Sequence, residues 1–187
     1  MEKQTRGHSP QGAIVGVGNV LQRDDGIGVK ILKYLEAAFA FPENVALIDG
    51  GTAGAGLQSS IMEKNWLLII DALAVPGDPG EIRMISGRDI LSRPSDLKLS
   101  PHQISFFDLI QLMELKGIGI EELTILGVVP ENTRVGIDIS PAVDASIEKA
   151  VACILSWLQA KEIVPEPVNG KITPDYWWQK PISKGDR

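Results

Sequence analysis

Cysteine is nearly absent. Cys153 is the only one among 187 residues, so no internal disulfide can form, and a reducing cytoplasm is the expected setting. Long apolar runs are absent too. The best of them, WLLIIDALAV at 66–75, is too short to span a bilayer and contains an aspartate. The first residues, MEKQTRGHSPQG, are polar, and no secretory signal is expected in them. Positive charge is not in excess either: the net charge is −6 and the isoelectric point is near 5.0. That weighs against a general binder of nucleic acid or of anionic membranes, which would need a basic face. No G-x-S-x-G elbow and no Cys–His pairing occurs, so classical covalent hydrolysis has no candidate nucleophile. Cys153 itself lies mid-helix among Val151, Ile154 and Leu155 and reads as core.

What is present is an ordinary globular composition, 44% apolar and 22% charged, in a chain long enough for one domain with one core. AIVGV (13–17) reads as a buried strand, and Ile27, Ile31, Leu32, Leu35 and Phe39 follow at helical spacing. VALID (45–49) is a second short strand ended by the turn GGTAG, and 55–64 suits a short helix. WLLIID (66–71) is apolar throughout, as expected of a strand covered on both faces. VPGDPG (75–80) is a turn by composition, and EIRMIS (81–86) alternates like an edge strand. SPHQISFFDLIQLMELKG (100–117) has helix signals at both ends: Ser100 for the cap, Pro101 at the first position, Gln103 to complete a capping box, and Gly117 to stop it. ELTILGVVP (122–130) is another buried strand, and 140–160 repeats the Ser-Pro start and predicts one long helix. Strands alternating with helices argue an α/β domain with a mainly parallel sheet. The expected organisation is a polar extension over 1–12, one α/β domain over 13–164, and a Pro/Trp-rich tail over 165–187 whose aromatics strap onto the domain.

In open α/β sheets ligands gather outside the carboxyl ends of the strands. That rule selects Gly16, Gly18, Asn19, Asp24 and Asp25 after the first strand, Asp49 ending the second, Asp71 ending the third, and His102 at a helix start. A dinucleotide fingerprint would need a third glycine where Leu21 stands, and the two carboxylates that follow would repel a pyrophosphate. A cation suits the residues better. Asp25, Asp71 and His102 come from three elements whose ends should converge, and two carboxylates with an imidazole suit a divalent transition metal with positions left open. A helix N-terminus disfavours imidazolium, and a neutral ring nitrogen is what a metal requires. The ordinary alternatives are a capping role for Asp24, a turn-bracing role for Asp49, and a surface position for His102. His8 sits in the polar extension and is assigned no role.

GVGNVLQRDDGIGV, DGGTAG, IIDAL, SPHQISFFDLI and LTILGVVPE, in that order and spacing over roughly residues 13–160, resemble the hydrogenase maturation endopeptidases. These are the C-terminal processing proteases of nickel–iron hydrogenase large subunits. The resemblance implies a three-layer α/β/α sandwich with a twisted, mostly parallel five-stranded sheet. It implies that Asp25, Asp71 and His102 are the metal-binding residues, and that Asp49 occupies another motif position without being a ligand. The implied substrate is the large-subunit precursor already loaded with nickel and iron. The implied reaction removes a short C-terminal extension, cutting after the basic residue that follows the last metal-binding cysteine motif. Nickel would be the recognition signal, brought by the precursor, although another divalent ion could fill such a site. The family also implies a monomer. A checkpoint or metallochaperone using the same three residues without cutting, and a nucleotide-binding α/β module, are the other readings.

Overall fold

The computed structural model describes residues 11–87 and 101–180, except for the side chains of 55, 101–105 and 107. Strands β1 (Gly12–Val17), β3 (Val45–Gly51), β4 (Trp66–Ala72), β5 (Ile82–Ser86) and β6 (Glu122–Val128) form one sheet in the order β3-β1-β4-β6-β5. β3, β1, β4 and β6 are parallel, and β5 pairs antiparallel with β6 at the edge. A second, two-stranded sheet joins β2 (Phe39–Ala40) to β7 (Glu166–Pro167). The α-helices that lie in full among the described residues are α1 (Ile27–Ala38), α2 (Gln58–Ile61), α3 (Pro101–Leu115), α4 (Pro141–Asp144) and α5 (Ile147–Gln159).

Strand periodicity explains the layers. Side chains alternate between faces along a strand. Ile14, Leu68, Ile70, Leu126 and Val128 point to one face, where Ile27, Ile31 and Leu35 of α1 and Ala150 and Ile154 of α5 cover them. Ala13, Val15, Leu67, Ile69 and Ile125 point to the other, under Ile61 of α2 and Leu109, Ile110 and Met113 of α3. The result is the three-layer α/β/α architecture with a five-stranded, mostly parallel sheet. β1 and β4 are buried at every position because both of their faces are covered.

Two elements differ from the sequence expectation. The 55–64 helix is shorter: a 3-10 turn, Gly54–Leu57, leads into the single helical turn of α2. The long helix expected over 140–160 is two helices, α4 and α5, separated at Ala145 and Ser146. There the Ser146 hydroxyl and amide both donate to the Val143 carbonyl, at 2.6 and 3.1 Å, tightening the turn away from α geometry. The Ser100 and Gln103 capping box lies outside the described residues. Of the tail, β7 pairs with β2, the Val168 amide donates to the Ala38 carbonyl at 2.9 Å, and the Tyr176 ring lies 5.2 Å from the Lys30 ammonium.

Candidate active site

The first strand ends in a turn that its glycine makes possible. Gly18 has φ +124°, a conformation that favours glycine, and its amide donates to the Gly51 carbonyl at the end of β3. A Cβ on Gly18 would stand 1.8 Å from the Asp25 carbonyl oxygen and 3.5 Å from Asp71 Oδ1. The space beside Gly18 is thus shared by the Asp25 main chain and the Asp71 carboxylate, within a few ångström of each other. Gly28 permits this closeness from the helix side: a Cβ there would lie 2.1 Å from the Ile70 carbonyl oxygen and 2.3 Å from that of Val17. α1 therefore abuts the carboxyl ends of β1 and β4, and the turn before it lies against the end of β4.

Both carboxylates are buried and oriented by backbone amides. Asp25, 7% exposed, accepts the Asn19 amide at 2.8 Å through Oδ2. Asp71, 3% exposed, accepts the amide of Ala72 at 2.7 Å through Oδ1. Each amide bond fixes the direction of the carboxylate that accepts it.

His102 is the second residue of α3. Its side chain lies outside the described residues, so its ring is not placed beside the two aspartates. The backbone places the turn that carries it. Residues 116–121 join α3 to β6, and the Glu121 amide donates to the Asn65 carbonyl just before β4. The C-terminus of α3 therefore lies at the amino end of the strands, and its first turn points toward the carboxyl end, where Asp25 and Asp71 sit. Among the described residues, no group of three His, Cys, Asp or Glu side chains gathers into a metal-binding cluster.

Asp24 has a different task from its neighbour. It is fully buried and faces the 131–140 loop. Its Oδ2 accepts the amides of Glu131 and Asn132 at 2.9 and 2.8 Å and the Ser140 hydroxyl at 2.8 Å, and its Oδ1 accepts the Ser140 amide at 2.7 Å. Backbone bonds reinforce the join: Arg23 donates to Gly136, and Gly136 to Leu21, both at 2.9 Å. Asp24 caps no helix of its own turn; it ties the site loop to the loop after β6. Sequence reasoning missed this tether. The adjacent aspartate pair was the only available signal, since on a 3-10 turn neighbouring side chains diverge and cannot share one task.

Asp49 does not turn toward the site. It is exposed and stands 3.5 Å from the Lys33 ammonium on α1. Burial pulls the Lys33 ammonium down, but the hydrogen bond and charge of Glu36, with those of Asp49, more than offset this and hold it above 10.5. The pair braces helix against strand.

Known proteins with this fold and sequence identify the family. Residues 29–157 match the HycI family of hydrogenase maturation proteases. The hydrogenase 2 maturation protease of Escherichia coli (strain K12) is 32% identical over 155 residues, covering 82% of this chain and 94% of that one. The hydrogenase expression/formation protein HupM of Azotobacter chroococcum mcd 1 is 31% identical over 165 residues, 88% of this chain and 79% of its own. The solved hydrogenase maturating endopeptidase HybD from E. coli superposes with a TM-score of 0.79 at 32% identity, covering 84% of this chain and 97% of that one. The [NiFe] hydrogenase maturation protease HybD from Thermococcus kodakarensis does so with a TM-score of 0.67 at 26% identity, covering 79% and 98%. With most of its length matched in sequence and in fold, the chain belongs to the hydrogenase maturation protease family and is a peptidase.

Proposed function

We propose that this protein removes the C-terminal extension from the nickel-loaded precursor of a nickel–iron hydrogenase large subunit, and that the precursor's own nickel docks it at Asp25, Asp71 and His102. The observation that supports the reading is the approach of the Asp25 main chain and the Asp71 carboxylate beside Gly18, at the carboxyl end of the sheet and in a space that a Cβ would fill. Two carboxylates and an imidazole are a donor set that a divalent transition metal accepts with positions to spare. Those positions would go to groups of the substrate, so metal and polypeptide would dock together.

The chain's own residues supply the hydrolytic step. One of the two carboxylates takes a proton from a water; the water oxygen attacks the scissile carbonyl, and the proton passes to the departing amide nitrogen. A metal-bound carbonyl would be the better electrophile. The amides of Asn19 and Ala72 hold the two carboxylates in fixed directions, so little reorganisation precedes the transfer.

The experiment mixes purified protein with nickel-loaded and nickel-free precursor and weighs the products by mass spectrometry. The C-terminal peptide should be released only from the loaded form, and His102→Ala should release none while keeping its circular dichroism spectrum. Undiminished cleavage by folded His102→Ala would overturn the assignment. A loaded precursor that is bound but never cut would mark the protein as a checkpoint.

A further inference from the structure

Arg23 lies two residues before Asp25 and is unusual in three respects. Its φ is +51°, a left-handed conformation that residues with a side chain seldom occupy and that glycine or asparagine would take more readily. The surrounding bonds impose it: Arg23 donates its amide to Gly136, and the next residue, Asp24, is locked to the 131–140 loop. Its side chain lies over Gly136, where a Cβ would stand 2.8 Å from Nε and 3.0 Å from Cζ. A bare glycine thus seats the guanidinium. Finally, among the described residues no carboxylate lies within ion-pair distance of it, although those of Asp24 and Asp25 are one and two residues away. Asp24 faces its loop and Asp25 faces Asn19.

Two exposed aliphatic side chains flank this half-buried cation in the sequence of its two loops. Leu21 is 55% exposed and Val135 84% exposed, and the bond from Gly136 to the Leu21 carbonyl holds their two loops side by side. A positioned guanidinium beside exposed aliphatic side chains, at the rim of a site that must admit a polypeptide, matches an extended chain that carries a negative charge. A planar guanidinium fork is complementary to a carboxylate.

We propose that Arg23 is a specificity residue that binds a carboxylate of the polypeptide substrate next to the scissile bond. The inference rests on the precursor-processing reading above and adds the chemistry of the segment bound: it is acidic, through a side chain or through its terminal carboxylate. Backbone strain at Arg23 is the cost of aiming a cation at the rim of the site.

Steady-state processing of nickel-loaded precursor by Arg23→Met and Arg23→Lys tests this. Methionine keeps the length and packing over Gly136 and removes the charge. Its KM should rise about tenfold with kcat within about twofold of wild type, the loss of one charge-assisted contact. Lysine should recover part of that loss, and the KM of Arg23→Met should depend less on ionic strength than that of wild type. Two altered precursors distinguish the sources. In one, acidic side chains of the extension are changed to their amides; in the other, neutral residues are added after its last residue. The precursor that raises the wild-type KM and no longer responds to Arg23→Met identifies the carboxylate. A KM for Arg23→Met within twofold of wild type, or an equal Met effect on all precursors, would overturn the inference while leaving the peptidase reading intact. Failure of wild type to cut any loaded precursor would remove both.

Discussion

Asp24 and Asp25 are adjacent, chemically identical and buried, yet Asp24 binds the 131–140 loop while Asp25 accepts the Asn19 amide of its own turn. Asp24 spends its carboxylate on four donors from the 131–140 loop. In Asp24→Asn the charge is lost, and an NH2 group must face amides that also donate. Stability should fall by about 2–4 kcal/mol, read from urea midpoints, because a buried group loses several charge-assisted bonds at once. Asp25→Asn should cost less stability and reduce processing by about a hundredfold or more, the scale expected when a site carboxylate is neutralised. Equal stability losses with equal residual activities would show that the two carboxylates share one role. Reading the pair from sequence could single out Asp25 by its place after the glycine turn. It could not reveal the task of Asp24, whose partners lie 107 to 116 residues further along the chain. Arg23 was equally hidden, since nothing in the letters QRDDG announces a left-handed arginine.

Among the elements, those with strong local signals were legible and those made by distant pairing were not. The apolar runs of β1 and β4 and the spacing of α1 announced themselves. The break between α4 and α5 rests on one serine hydroxyl turning back to Val143, in a segment whose periodicity continues unbroken. The β2–β7 pair is only two residues long on each side and joins segments far apart in the chain. It anchors the stretch that leads to Tyr176, whose ring faces Lys30 of α1 while Lys30 pairs with Asp144 of α4 at 2.6 Å. Burial first, then the negative charge of Asp144 and the nearby Tyr34, push the Tyr176 phenol up to about 12 from 10.0. The sign follows by linkage: a raised pKa means the folded form holds its proton more tightly than the unfolded one. The contribution is therefore whole below pH 10 and is lost as pH climbs through about 12. Ultraviolet titration of tyrosinate should show a step in that upper range that disappears in Tyr176→Phe, accompanied by a change in tryptophan fluorescence from Trp177 and Trp178. Titration of Tyr176 at its ordinary value would show that the segment does not dock in solution.

At the scale of the molecule, the sheet has two ends with different uses, and the depth of a cleft does not say which end is chemical. A cleft of about 720 Å³ opens at the amino ends of the strands, between Asn44, Trp66, Glu121, Glu122, Lys161 and Ile163. It lies at the wrong end for catalysis in a parallel α/β sheet. Carbonyl dipoles, strand-to-helix turns and helix N-termini converge at the carboxyl ends, where the chain can present side chains without breaking its ladder of hydrogen bonds. That polarity is why the order of motifs along the chain could nominate candidate site residues, although sequence could not tell how they face one another. Within the amino-end cleft, Lys161 pairs with Glu122 and its ammonium stands 4.4 Å from the centre of the Trp157 ring. Trp157 in turn packs edge-on against Trp66, 5.3 Å away. These contacts fasten the end of α5 to the start of the sheet. Lys161→Met should therefore lower stability by about 1 kcal/mol, the sum expected of a partly exposed ion pair and a cation–π contact. Processing of loaded precursor should stay within about twofold of wild type, because the proposed site lies at the opposite end of the sheet. A Lys161→Met protein that is as stable as wild type but cannot process precursor would place substrate recognition at the amino ends of the strands, against the polarity on which the site assignment depends.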